Sequence, residues 1–125
     1  MVISDLNFKR IKFSIETTDR FQIFKRNTDL TPNIAARFAL ILSLAQDNIP
    51  SEILYSGKDG QEINRDTFLG DLGSFLLSSF VIWCNENNIK KEDSYKYLIL
   101  HINRGSDLLT NRVKSLGDLG NIISY

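Results

Sequence analysis

Between Phe8 and Ile15 the chain sets Phe8, Ile11, Phe13 and Ile15 against Lys9, Arg10, Lys12 and Ser14. From Ile11 on the alternation is strict, which predicts a short strand with one polar face, and Lys12 lies on that face. The period then changes. Thr17, Thr18 and Asp19 offer N-cap oxygens for a helix running to about Asn27, with Phe21 and Phe24 on its apolar side. At 100° per residue Arg20 and Lys25 flank that side while Arg26 points nearly opposite, so the three bases do not form one stripe. Arg20 and Lys25 can lay their stems along the core edge and keep their heads in water. Thr31-Pro32 opens a second helix, with Thr as N-cap and Pro at the first helical position, where its missing N–H costs nothing. Ile34, Phe38, Ile41, Leu42 and Ala45 carry it at helical spacing to about Gln46, and Ala36, Leu40 and Leu44 fill a second side. A helix apolar nearly all round predicts burial on most faces, including against another subunit. Arg37 is its only charge.

Residues 47–65, with Pro50, Gly57 and Gly60, read as a turn-rich connector holding a short strand or hairpin around Gly57–Gly60. A third helix is predicted from about Asp66 to Glu86, with Leu69, Leu72, Leu76, Phe80 and Trp83 on its core face and Asn87-Asn88 as its stop. A fourth starts near Asp93 or Ser94 and uses Tyr95, Leu98, Ile99 and Ile102, with Gly105 as its C-cap and Arg104 in its last turn. A further helical stretch is expected from Asp107 to Leu116, ending at Gly117. The expected architecture is a single domain over residues 1–125. It is mainly α, with a ribbon-helix-helix-like part at 8–46 (one short strand plus two helices), an additional helical half at 66–116 and a loose tail at 117–125. The surplus of apolar helix surface predicts an oligomer.

Composition narrows the function classes. With 125 residues, 42% of them apolar and 24% charged, the chain can bury a core without staples. One Cys and one His exclude a disulfide framework and a zinc quartet. The start, Met1 to Asn7, lacks a cationic segment followed by an apolar run, so no signal peptide is expected. The apolar stretch Phe75–Cys84 is too short for the roughly 20 residues a membrane span needs, and no membrane partner is expected. A lone thiol fits a reducing cytoplasm. The formal net charge is zero, yet it is segregated. Residues 1–40 carry seven bases and four acids, residues 41–89 two and seven, residues 90–125 six and four. Such a chain can turn a basic face to a polyanion while another face serves a different contact.

No residue set announces catalysis. His101 has no cysteine or glycine-flanked serine beside it in sequence, Cys84 lies in an apolar run, and Gly57-Lys58-Asp59-Gly60 lacks phosphate-loop spacing. Asp59/Glu62 and Asp66/Asp71 read as solvating or capping groups. No cofactor or metal is expected. Binding remains. The order strand, helix, helix is that of ribbon–helix–helix proteins, in which two chains pair their strands and the polar strand face enters the DNA major groove. Lys12 and Arg10 would lie there, and bases without Asn or Gln readers favour phosphate contact over base readout. A ribbon–helix–helix repressor or antitoxin on a palindromic operator is the alternative reading, and the long second half, 66–116, exceeds what such repressors need.

Phe24-Lys25-Arg26-Asn27-Thr28, then Asn33, Arg37-Phe38-Ala39, Ser43-Leu44-Ala45 and Ile49-Pro50 stand in an order that resembles the bacterial DNA sulfur-modification family DndE. His101-Ile102-Asn103-Arg104-Gly105 followed by Leu108-Leu109 is similar to that family's His-x-His-Arg-Gly ending, with Asn103 in place of a frequent His. The resemblance spans about residues 11–110. It implies a non-catalytic role in phosphorothioation, which replaces a non-bridging phosphate oxygen of DNA with sulfur. It also implies a homo-tetramer that binds double-stranded, preferentially nicked DNA. In that system, the resemblance implies, the chemistry is held by a cysteine desulfurase, an iron–sulfur protein that uses ATP and a structural-maintenance-like ATPase, and the last two are the implied protein partners. By motif match Lys25, Arg26, Arg37 and Arg104 become candidate DNA contacts, joining Lys12 and Arg20 from the strand and helix placement.

Overall fold

A computed structural model describes residues 1–115, 117, 118 and 120. A single 3₁₀ turn, Ile3–Asp5, precedes strand β1 (Arg10–Lys12). Helices α1 (Ile15–Thr28), α2 (Pro32–Leu44) and α3 (Glu52–Tyr55) follow, then strand β2 (Glu62–Asn64). The second half holds α4 (Arg65–Leu69), α5 (Gly73–Glu86) and α6 (Ser94–Arg112), with 3₁₀ turns at Gly70–Leu72 and Lys91–Asp93. The mainly helical class and the order strand, helix, helix are as the sequence predicts.

The strand's partner is different from the one the ribbon–helix–helix pattern suggests. β1 pairs antiparallel with β2 of the same chain, Ile11 opposite Ile63, Arg10 opposite Asn64 and Lys12 opposite Glu62. Its other edge is engaged as well, because the Lys12 N–H donates to the Tyr95 hydroxyl at 3.1 Å. A second copy's strand could add there only by displacing that bond. β2 was not expected at 62–64, since three residues with one apolar side chain carry too little alternation to show.

Three helix boundaries move for identifiable reasons. α1 starts earlier than the Thr17–Asp19 cap, because Ser14 Oγ accepts from Thr17 N at 3.0 Å and Asp59 Oδ1 accepts from Ile15 N at 3.2 Å. Ile15 therefore opens the helix instead of closing the strand. The expected 66–86 helix is broken at Gly70, whose φ of 52° a side chain would resist. Gly105 is not a C-cap. It lies inside a continuous α6, where a Cβ would stand 1.8 Å from the Ala39 carbonyl oxygen, so only glycine lets α6 lie this close to α2. The separate 107–116 helix is thus the end of α6 as far as Arg112. The expected tail at 117–125 falls largely outside the described residues.

α2 and α6 are the central pair. Ala35, Ala36, Ala39 and Leu40 of α2 and Leu98, Ile102 and Leu109 of α6 are buried with Phe13, Phe21, Phe24, Phe68, Leu76 and Phe80. The stretch Arg65–Glu86 is long and apolar enough, by length and composition, to cross a membrane, and 44% of its most apolar window is buried in the fold.

Candidate nucleic-acid interface

α1 presents its bases through its own geometry. Phe21, Phe24 and Thr28 point into the core, so Lys25 and Arg26 emerge on the exposed side of the last turn. The helix stops at Asp29, in the left-handed region with φ 64°, whose N–H donates to the Lys25 carbonyl at 2.7 Å. The Lys25 and Arg26 side chains have no hydrogen-bond or ion-pair partner among the described residues. Both complement the negative end of the helix dipole, and both remain free to meet an anion.

Lys12 is exposed at the other end of α1, on β1. Its cross-strand neighbour is Glu62, which Arg10 already engages at 3.0 Å. An acid in the middle of the strand's polar face suits phosphate contact at its rim better than base readout in a groove. Ile15 and Arg26 stand eleven positions apart on α1, a rise of about 17 Å along its axis, roughly half of a ~34 Å duplex turn. Arg20 lies between them, half-buried, with Nη1 donating to Ser106 Oγ at 3.1 Å.

The other two candidates are hydrogen-bonded within the fold. Arg37 lays its guanidinium over the end of α4: Nε donates to the Phe68 carbonyl at 2.6 Å and Nη2 to the Thr67 carbonyl at 2.9 Å. It thereby satisfies carbonyls that the break at Gly70 leaves open. Arg104 is 6% exposed and fully engaged. Nε donates to Ser43 Oγ at 2.8 Å, Nη2 to the Ser43 carbonyl at 2.8 Å, and Nη1 to Asn48 O and Oδ1 at 2.9 Å each. A guanidinium so placed bolts α2 and its exit loop to α6 and has no surface to offer a phosphate.

His101 belongs to the same buried group. Ser43 Oγ lies 2.7 Å from His101 Nδ1. Arg104 Nε donates to the same oxygen, so the Ser43 hydroxyl sits between the guanidinium and the imidazole. Burial, and then the Arg104 charge, push the His101 pKa down to about 3. Trp83 stands edge-to-face against the imidazole, centroids 4.1 Å apart. Burial pushes the Cys84 thiol up to about 12. Neither group is poised for acid–base or nucleophilic work near neutrality. Among the described residues no three His, Cys, Asp or Glu side chains gather as a metal site.

Asn103 organises a second buried cluster. Its Oδ1 accepts from Ser14 N at 3.1 Å and Thr17 Oγ1 at 2.7 Å, while Nδ2 donates to the Tyr55 and Gly57 carbonyls at 2.7 and 2.8 Å. The motif residues Ser43, His101, Asn103, Arg104 and Gly105 are thus brought together as the scaffold, leaving the exposed bases at the ends of α1. Sequence reasoning missed Arg65, whose Nη1 donates to the Leu6 and Phe8 carbonyls at 2.6 and 3.0 Å and pins the N-terminal arm. It had shown only as a base in an acidic segment.

Fold and surface together define a small helical protein whose central helix pair is locked by buried polar groups and whose helix α1 ends in two free bases. The profile of the DNA sulphur modification protein DndE family matches residues 10–116, so the chain belongs to the DndE family. None of the curated proteins matches it. Among solved structures it resembles DndE from Escherichia coli B7A, described as involved in DNA phosphorothioation modification. The TM-score is 0.67 and the identity 24%, covering 87% of this chain and 98% of that one. A DndE G21/24K mutant involved in DNA phosphorothioation is similar at TM-score 0.66 and 23% identity, covering 87% and 99% of the two chains. These likenesses concern the fold.

Proposed function

We propose that this chain is a non-catalytic, cytoplasmic DNA-binding subunit of a bacterial phosphorothioation machinery that holds duplex DNA by its backbone. The observation that carries this reading is the pair of unpartnered bases, Lys25 and Arg26, at the exposed end of α1, with Lys12 at the other end. Contact points near the two ends of one helix fit a backbone that bends between them. A nick lowers the cost of that bend, which favours nicked over intact DNA. Arg20 can join by leaving Ser106, whereas Arg37 and Arg104 act through the scaffold. Anisotropy titrations with nicked and intact duplexes of random sequence test the reading. Tighter binding of the nicked form, regardless of sequence, is the expected result. A strong preference for one palindrome would point to an operator-binding repressor instead. The non-catalytic part fails if supercoiled plasmid incubated with the protein and a divalent metal relaxes.

The same proposal includes a homo-tetramer and docking to the iron–sulfur protein and the ATPase of that machinery. Two apolar surfaces support self-association. On α3, Ile53 is 95% and Leu54 72% exposed. On α5, Phe75 and Ile82 stand out at 57% and 58%, beside a groove of about 310 Å³ lined by Ile41, Leu44 and Trp83. Contiguous apolar surface of this kind marks interaction sites. Two distinct patches are what a tetramer needs, either joined to one another around a ring or each self-paired about a two-fold axis.

A further inference from the structure

A cleft opens between the N-terminal arm, β1 and the entry to α6, and no residue of α1 lines it. Its volume is about 370 Å³, within the roughly 300–1,000 Å³ of small-molecule sites. Lys9, Arg10 and Lys91 supply cations, and Phe8 and Tyr95 supply rings. The lining also holds Asp5 and Glu92. Arg10 is taken by Glu62 at 3.0 Å, and the Asp5 carboxylate accepts from Val2 N at 2.8 Å. The Lys9 and Lys91 ammonium groups are exposed and have no partner among the described residues.

The aromatic side of the cleft is built. The Arg65 guanidinium lies 4.4 Å from the Phe8 ring centroid, and the hydrogen bonds of Arg65 to the Leu6 and Phe8 carbonyls fix the arm that carries that ring. Tyr95 is 6.3 Å away, centroid to centroid, and tilted by 48°, so the two rings do not stack on each other. The Tyr95 hydroxyl accepts from Lys12 N at 3.1 Å, which holds the ring in place and leaves its own proton free to donate.

We propose that this cleft binds a nucleotide released from base stacking, as in an unpaired strand end, with phosphate on Lys9 and Lys91 and the base against Phe8 and Tyr95. With two acids among its lining, the cleft is too weakly cationic to follow a run of duplex phosphates. Its aromatic surface supplies what the charge does not, and any base has a face to offer it. The inference rests on the DNA-binding reading and extends it from duplex backbone to unpaired strand.

The test compares the wild-type chain, Lys9→Ala/Lys91→Ala and Lys25→Ala/Arg26→Ala on three probes: intact duplex, the same duplex with a short unpaired flap, and a short oligothymidylate. All four lysine and arginine positions are exposed, so both variants are expected to fold, which circular dichroism checks. The expected result is a roughly tenfold loss by Lys9→Ala/Lys91→Ala on flap and oligothymidylate, with intact duplex unchanged. A 2-aminopurine at the flap end is expected to change its fluorescence on binding wild type. An equal loss on all three probes, or none, overturns the cleft. If wild type binds intact duplex but gains nothing from the flap, the cleft fails and the duplex reading stands. If it binds the oligothymidylate through Lys9 and Lys91 but not the duplex, the duplex reading fails and the cleft stands. Competition by free thymidine monophosphate as effective as the oligothymidylate, phosphate for phosphate, would overturn the strand-end assignment.

Discussion

Ser43 Oγ serves two buried side chains at once, accepting from Arg104 and sharing a hydrogen bond with His101 Nδ1. That arrangement has a pH signature. The His101 pKa is about 3 in the fold against about 6.5 in an unfolded chain. Between those values the unfolded chain binds the extra proton. The stability contributed by the neutral imidazole is therefore complete above about pH 6.5 and is lost as pH falls towards 3. In urea melts, this one group should tilt stability by about 1.4 kcal/mol per pH unit near the middle of that window, and His101→Gln should flatten the slope by that amount. An unchanged slope would mean that the imidazole is not held neutral. Arg104→Met should cost about 2–4 kcal/mol, since it strands the Ser43 and Asn48 acceptors, and should leave the DNA affinity of the folded protein unchanged. A drop in affinity without a drop in melting temperature would return Arg104 to the binding surface.

Among the elements, the contact of α2 with α6 is the most demanding. Gly105→Ala would place a methyl group 1.8 Å from the Ala39 carbonyl oxygen, so the two helices must separate. A destabilisation of about 1–3 kcal/mol or more is expected in thermal or denaturant melts, and a neutral outcome would show that the pair packs more loosely than described. This position also shows what a sequence can and cannot display. Thr31-Pro32 marks the start of α2 through local chemistry alone, and Asn87-Asn88 marks the end of α5 in the same way. Gly105 has the same letters whether it ends a helix or lets another helix approach, and only the position of Ala39 decides. Lys25 and Arg26 were legible as exposed bases because they follow Phe24 by one and two residues. Arg37 and Arg104 were not legible as scaffold, because their long arms reach carbonyls 30 to 61 positions away in the chain.

For the whole molecule, the two apolar patches make the assembly testable by mass. Ile53→Lys/Leu54→Lys on α3 and Ile82→Lys on α5 each remove one patch without touching a buried residue. If the proposed tetramer is a ring, in which one patch meets the other, either variant yields monomers. If each patch pairs with itself, each variant yields dimers. Light scattering behind size exclusion distinguishes the two, and tetramers in both variants would remove these surfaces from the account.

The zero net charge of the chain is a cancellation of an acidic middle by a basic first third and a mildly basic end, so the proposed affinity for DNA must come from a few placed side chains. The salt dependence of binding to nicked duplex tests that claim most directly. With log K plotted against log salt, each lost phosphate contact flattens the slope by about one unit. The Lys25→Ala/Arg26→Ala variant is expected to bind more weakly and with a slope flatter by about 1–2 units than wild type. A slope identical to wild type would contradict the account, because the end of α1 would then carry no phosphate.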